Sequence, residues 1–429
     1  MKSRGLAHTI FYIMWFLMLV TFCEGILQLK LAYFADEVLL SISTLVVFIN
    51  VSHFYRSKIG KRLVFWFIAY FIIQVVNFIT SPYHLQLIYT FGQALINLKV
   101  IIIPLAFFLL IQKLNIKKIV ITRFLYLFVI LFFLGLVLNI ILQAEWNLML
   151  GWKVEYRYGF LRLAGWFGGT HYLGYFFTLV SLVIWMSYLL RRRNQLTWKF
   201  YWLYSTVQII ISFPLTIRKG LVSIFSLIYY SMISGSSKKV IRTVMVVVGM
   251  SLLGYLLVGD SSYIKDTKLD VLQMTNNDDD NYYIRGLMVY NGASLAISHF
   301  PFGTGAGTFG TVLSKYNTLE VYQKVNIPSF WYESEDLSGV YDSGFFSLLA
   351  ENGIFGIIVM VFIVIYFFQI LAERLTLNGS RILQVLIVTM AIWSITEPVV
   401  QNGIFTVIFS SLCMYILKVH RDDNKVMSE

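Results

Sequence analysis

Long runs of apolar residues, nearly free of charge, recur along this chain. They lie at about 8–28, 36–54, 62–80, 92–112, 119–142, 171–190, 198–216, 219–235, 240–258, 343–371, 381–398 and 402–419. About 20 consecutive apolar residues span a bilayer as a helix, so each run is a candidate span. Only Arg218 separates the runs 198–216 and 219–235, which therefore read as a tight helical hairpin. Between 259 and 342 the pattern changes to a polar stretch with acidic clusters. Within it, Ile284, Leu287, Met288, Leu295 and Ala296 recur at a one-sided helical spacing, which predicts a short helix near the membrane surface. The pattern predicts an all-α polytopic membrane protein of about twelve transmembrane helices. Residues 1–258 would hold nine of them, 259–342 one large external loop, and 343–429 the last three and a short tail.

Composition narrows the class. Of 429 residues, 58% are hydrophobic and only 13% charged. An ordinary soluble domain carries about 25% charged residues, so soluble, disordered and coiled-coil classes are excluded. Cys23 and Cys413 both lie in apolar runs and offer neither a disulfide framework nor a thiolate metal site.

The net charge of +12 would suit an anionic partner such as nucleic acid, but its placement says otherwise. Of 34 basic residues, 22 fall in alternate short segments, from Lys2 and Arg4 through Arg191–Arg193 to Lys418, Arg421 and Lys425. Basic residues concentrate in cytoplasmic loops, so both termini are expected inside and the 259–342 loop outside. That loop carries 11 of the 22 acidic residues, and a loop of its length is usually functional.

The remaining charges carry the candidate chemistry. Arg218 and Lys219 interrupt the apolar FPLTIRKGLVSIF on the external side. An arginine at membrane depth either snorkels toward lipid phosphates or faces a wet cavity, where its fork suits bidentate phosphate binding. Lys99 in INLKVIIIP is open to the same two readings. Arg162 stands just before a span and Arg285 at the start of the surface helix. Asp342 is the last charge before the 343–371 run, and Glu351 lies inside that run. Asp342 is either a helix N-terminal charge or a site residue.

Gly305-x-Gly307-x-x-Gly310 matches a dinucleotide fingerprint only in letters, since no strand precedes it. Its glycines fit a sharp loop packed close to other backbone. The six histidines show no metal-ligand spacing, and Asp278–Asp280 and Asp36–Glu37 are solvated acidic runs or weak cation sites.

Four pieces of the chain together resemble the O-antigen polymerase and ligase family of bacterial envelope glycosyltransferases. They are Arg162 with Gly165 and Phe167; Arg218 and Gly220 opening a span; Arg285, one helix, then His299-Phe-Pro-Phe-Gly303 and Gly305-x-Gly307; and Asp342 leading into Leu348-Leu349-Ala-Glu351-Asn-Gly353-Ile354-Phe-Gly356. The motifs cover about 155–370, the rest matching by topology. Ligases of the family usually carry a histidine where this chain has Asp342. A carboxylate there is similar to the polymerases, and to the peptidoglycan polymerases of the shape, elongation, division and sporulation family.

The resemblance implies a GT-C-like membrane glycosyltransferase of the bacterial cytoplasmic membrane, acting on its outer face. The donor would be a glycan on a polyprenyl diphosphate, and the acceptor a lipid-linked repeat unit. Arg218 and Arg285 would hold the diphosphate, with Arg162, Lys219, Lys99, His299 and Glu351 assisting in substrate binding. Asp342 would act as general base in an inverting transfer. No cofactor, metal or nucleic acid is implied, and a chain-length regulator and a flippase are candidate partners. A ligase passing the glycan to another acceptor is the alternative within the family. A lipid-linked oligosaccharide flippase is the alternative from another class, but it would not need the external loop and should show internal repeats, which the chain lacks.

Overall fold

A computed structural model describes residues 2–23, 34–152, 284–332 and 344–421, with scattered positions between 154 and 187 and residue 340. These residues are almost wholly helical. The main helices are α1 (Lys2–Phe22), α2 (Ala35–Ile49), α3 (Lys58–Thr80), α4 (Leu87–Ile96), α5 (Lys99–Leu114), α6 (Lys118–Met149), α7 (Ile284–Ser298), α8 (Gly344–Ala372), α9 (Leu377–Thr396) and α10 (Gly403–Val419). The remainder is one-turn helices and a two-residue antiparallel ladder pairing Tyr156–Arg157 with Phe160–Leu161.

Among the described residues, five helices are long and apolar enough to cross a membrane: α1, α3, α6, α8 and α9. The α4–α5 pair, bent by 63°, makes a sixth if counted as one span. These helices fit a multi-pass membrane protein. The expected runs 198–216, 219–235 and 240–258 lie outside the described residues, as do Arg218 and Lys219. The run expected as one helix at 92–112 is instead broken at Asn97–Leu98, where Leu98 leaves the helical region at φ −104° and ψ 0°; beside the break Gln93 bonds Asn97 and Lys99 reaches Asp36.

The core follows from which helices are apolar all round. In α5 every residue from Lys99 to Ile111 is buried, and in α10 every residue from Ile404 to Met414. A helix buried on all faces belongs at the centre of a bundle. α1, α2 and α6 pack around this pair. Trp15 of α1 stacks on Phe124 of α6 with ring centroids 3.7 Å apart. By contrast, α3, α6 and α8 each show an exposed apolar stripe: Phe65, Ile68 and Ile72; Ile130, Phe133 and Val137; Phe355, Ile358 and Val361. Exposed stripes of this size suit a lipid surface.

The second packing unit is α8 with α3 on one side and α7 on the other. Trp66 of α3 stacks on Phe362 of α8 at 4.4 Å. α7 matches the expected short helix, burying Ile284, Met288, Leu295 and Ala296. The helix starts are set by local chemistry. Ser57, Thr376 and Asn402 each accept a backbone N–H three residues on, from Gly60, Gly379 and Phe405.

Candidate functional site

α8 is not continuous. At Gly353 the backbone takes φ 62° and ψ −174°, a region open essentially to glycine alone. A break in a spanning helix frees backbone groups that lipid cannot satisfy. Here the glycine-rich segment 301–311 closes it. The amides of Thr304 and Gly305 donate to the carbonyls of Ala350 and Glu351, both at 2.9 Å, and Phe355 N–H donates to Pro301 O at 3.3 Å. This close approach needs bare backbone: a Cβ on Gly353 would sit 2.3 Å from Pro301 O, and one on Gly303 2.5 Å from Ala350 O.

Glu351 fastens the segment from the other side. Its Oε1 accepts the amides of Thr308 at 2.7 Å and Phe309 at 3.0 Å, and the Thr311 hydroxyl. The residue is fully buried. Gly303, Gly305, Gly307 and Gly310 all have positive φ, which lets the segment curl around one carboxylate. The amides that a phosphate would need are thus occupied by Glu351, and α7 rather than a strand precedes the segment.

Amides from α3 and α4 complete the arrangement. Gln74 Nε2 and Tyr70 OH donate to Asn352 Oδ1 at 2.8 and 3.2 Å, and Asn77 Nδ2 donates to Glu351 O at 3.4 Å. Gln93 Oε1 accepts Leu313 N–H at 2.9 Å, and Ser81 Oγ donates to Thr304 O at 2.8 Å. Asn317 Nδ2 donates to Ala306 O and Thr90 Oγ1, both at 3.1 Å.

His299 stands at the mouth of the segment, half-buried. Its Nδ1 lies 3.1 Å from Leu295 O and 3.0 Å from Ser298 Oγ, and its Nε2 lies 3.3 Å from Tyr83 OH. Burial pushes its pKa below the usual imidazole value; the bond to Leu295 works against this, and the nearby Lys324 adds to it. Lys324 itself lies over the Tyr83 ring, 5.3 Å from the centroid. Beside it, His84 Nδ1 meets Glu320 Oε1 at 2.9 Å on the exposed surface and holds that carboxyl below its ordinary range.

Of the residues picked out from sequence, Glu351 and His299 are brought to one loop. Lys99 belongs elsewhere: its Nζ is 2.6 Å from Asp36 Oδ2, with both side chains largely buried. The carboxylate of Asp36 also packs on Gly403 at the start of α10, so the pair ties α2, α5 and α10 together. Arg162 is on a separate clasp. Its carbonyl accepts Asn147 Nδ2 at 3.3 Å, and the neighbouring amides of Ala164 and Gly165 donate to Asn139 Oδ1 at 2.7 and 2.9 Å. The backbone of Arg285 is the second residue of α7, its side chain lying outside the described part, and Asp342 is likewise outside the described residues. Among the described residues no group of three or more His, Cys, Asp or Glu could hold a metal ion.

Sequence reasoning passed over Tyr70, Gln74, Asn77, Asn139 and Asn352. A signal for two of them was legible, since Gln74 and Asn77 sit one turn apart in the apolar FIIQVVNFIT. Amides on one face of a span usually bond across to another helix. No family model and no curated protein matches this chain.

Proposed function

We propose that this chain is a polysaccharide polymerase of the bacterial cytoplasmic membrane, working on the external face with both termini inside. The donor is a glycan on a polyprenyl diphosphate and the acceptor a lipid-linked repeat unit. Asp342 removes the proton from the acceptor hydroxyl, whose oxygen bonds to the anomeric carbon as the bond to the diphosphate breaks. Inversion follows, and polyprenyl diphosphate leaves with its charge stabilised by Arg218 and Arg285.

The observation that carries this reading is the pairing of α7 with α8. A Cβ on Gly292 of α7 would lie 2.7 Å from Phe346 O, while Gly303, just beyond α7, approaches Ala350 O. The two helices therefore run in the same direction, with their N-terminal ends on one side. Arg285 is the second residue of α7, and Asp342 precedes α8 by two residues. A cation for the leaving group and a base for the attacking hydroxyl are needed about one anomeric carbon. Glu351 and Lys99 are engaged within the protein, so the reading keeps substrate contacts for Arg162, Lys219 and His299.

The test is chain growth by the purified protein in nanodiscs supplied with lipid-linked repeat units, read on a gel. Wild type should lengthen the glycan, and Asp342→Asn should lose about 10²–10⁴-fold in rate. Arg285→Lys keeps the charge but loses the fork, for a loss of about 2–4 kcal/mol of transition-state stabilisation. Transfer only to an acceptor other than the repeat unit would replace polymerase by ligase. Movement of the lipid-linked glycan across sealed vesicles without a new glycosidic bond would overturn the reading altogether.

A further inference from the structure

α3 and α8 run antiparallel and share one membrane boundary. Arg62 lies over the Tyr366 ring, Trp66 stacks on Phe362, and Gln74 and Asn77 reach Asn352 and the carbonyl of Glu351. The charges gather at the Arg62 end: Lys58, Lys61 and Arg62 on α3, with Glu373 and Arg374 just past α8. From Leu63 to Thr80, and from Ile354 to Ala372, no residue is charged. At about 1.5 Å per residue these stretches are each about 27–29 Å long, close to the ~30 Å hydrocarbon core of a bilayer. The break at Gly353 therefore lies at the boundary far from the charges, level with the end of α3.

The turn that follows α7 is seated on this break. Pro301 O accepts the Phe355 N–H, and the rings of Phe300 and Phe302 lie 6.1 and 5.9 Å from that of Phe355. Phe355 begins the exposed apolar stripe of α8 that continues through Ile358 and Val361. What the turn shows to its surroundings is also apolar: Ile297 is 73% exposed and Phe300 61%. His299, between them, faces inward, its ring nitrogens meeting Leu295 O and Tyr83 OH. Single exposed apolar residues are ordinary, but these two prolong a lipid-facing stripe across the break.

We infer that the turn at the end of α7 dips into the edge of the bilayer, with Ile297 and Phe300 touching lipid chains just below the headgroups, beside Phe355. The occupant of this surface is the lipid bilayer, because the surface continues the α8 stripe without a gap. Lys324 stands beside the turn: its ammonium lies over the Tyr83 ring, which in turn packs against His299. That places a cation at the level of the lipid phosphates, where a long basic side chain is favoured. Large apolar side chains flanked by a basic one are the pattern of a segment held at a membrane interface. The contact fixes the glycine segment, which begins at Gly303 directly after the turn, at the membrane surface. It requires only that the chain spans a membrane, whichever reaction it performs.

The experiment uses the full chain in nanodiscs of phosphatidylethanolamine and phosphatidylglycerol. Ile297→Cys, Phe300→Cys and, as a lipid-facing reference, Val361→Cys each carry the environment-sensitive dye NBD, in a chain with Cys23→Ala and Cys413→Ala. The quenchers are spin-labelled lipids, with the nitroxide either just below the headgroup or near the chain end, and iodide in the water. The labels at 297 and 300 should emit to the blue of the dye in water, quenched most by the shallow nitroxide and little by iodide. The label at 361 should respond more to the deep nitroxide. Free quenching by iodide at 300, with no effect of either lipid, overturns the proposal. So does strongest quenching there by the deep nitroxide, which would put the turn inside the bilayer and not at its edge. A second measurement leaves the native cysteines in place: benzoylphenylalanine is incorporated at Phe300 and irradiated in nanodiscs of the same lipids, radiolabelled. Crosslinking to lipid is expected, and its absence while the same probe at Val361 crosslinks overturns the proposal.

Discussion

Among the described residues two long helices, α6 and α8, are interrupted by a non-helical residue, and a segment from elsewhere in the chain closes each break. In α6 the backbone departs from helix at Gln143, and residues 162–166 dock there. In α8 it departs at Gly353, and residues 301–311 dock there. The physical problem is the same, since freed backbone groups in a bilayer must find partners within the protein. The solutions differ in charge. The α6 clasp is neutral: Asn139 accepts two amides with Oδ1 and gives its Nδ2 to Gln143 O at 3.2 Å and Asn147 Oδ1 at 3.1 Å. Trp146 Nε1 donates to Gly165 O at 2.7 Å, and Trp166 Nε1 donates to Leu131 O. The α8 clasp is built on a buried acidic side chain, that of Glu351, whose Oε1 accepts from Thr308, Phe309 and Thr311. A neutral amide used to its full capacity is an economical structural fastener. A buried acidic group is the costlier choice, and three donors from the glycine segment offset that cost here.

The largest effect should come from filling the α8 break. Gly353→Ala combines a backbone region that disfavours any side chain with a Cβ inside contact distance of Pro301, Phe302 and Gly303 backbone. These are main-chain atoms and cannot swing aside. The expected loss is about 2–6 kcal/mol, taking strain and overpacking together. Monodisperse protein in detergent should largely disappear on size exclusion. Gly5→Ala is the control, because nothing lies within 4 Å of a Cβ there. A Gly353→Ala protein with wild-type yield and Tm would show that the segment 301–311 is not clasped in the break.

The neutral clasp should be weaker. Asn139→Leu removes the acceptor for Ala164 and Gly165 and leaves two buried amides unmet. That costs about 2–4 kcal/mol. The readout is Tm in nanodiscs. An unchanged Tm would mean that residues 164–165 find another acceptor, and the two breaks would no longer be comparable.

How much of this was legible in the sequence depended on distance along the chain. The helices around 58–80, 118–149 and 344–372 follow from local hydropathy, and α7 from its one-sided apolar spacing. The glycines at 303–310 were legible as a tight loop, and the structure has one there, directly after α7, with positive φ at all four glycines. The partners were not legible. Thr308 and Thr311 lie about 40 residues before Glu351, and Asp36 lies 63 residues from Lys99. A charged residue in an apolar run announces that it needs a partner, but not which one. Glu351 therefore looked like a substrate contact, and Lys99 like a cavity lysine. The break itself was hidden because a glycine in an apolar run is compatible with an unbroken helix. Local reasoning missed Gln143 for the opposite reason: nothing about glutamine suggests positive φ.

That last residue gives the smallest effect and the cleanest contrast, because its sign should be opposite. Gln143 holds φ 48° and ψ −124° within α6, where a residue other than glycine is strained by about 1–3 kcal/mol. Its side chain is exposed, and its part in the clasp is its carbonyl, which every residue type has. Gln143→Gly should therefore keep the Asn139 bond and relieve the strain. Glycine returns about 0.5–1 kcal/mol of that through the greater freedom of the unfolded chain. The net expectation is a stabilisation of about 1 kcal/mol, seen as a Tm higher by a few degrees. The same exchange thus runs in opposite directions at the two breaks: introducing a Cβ at 353 should be ruinous, and removing one at 143 should help. A lower Tm for Gln143→Gly would mean that the side chain contributes more than its exposure indicates. The α6 break would then be a site with chemistry of its own, not a plain fastener.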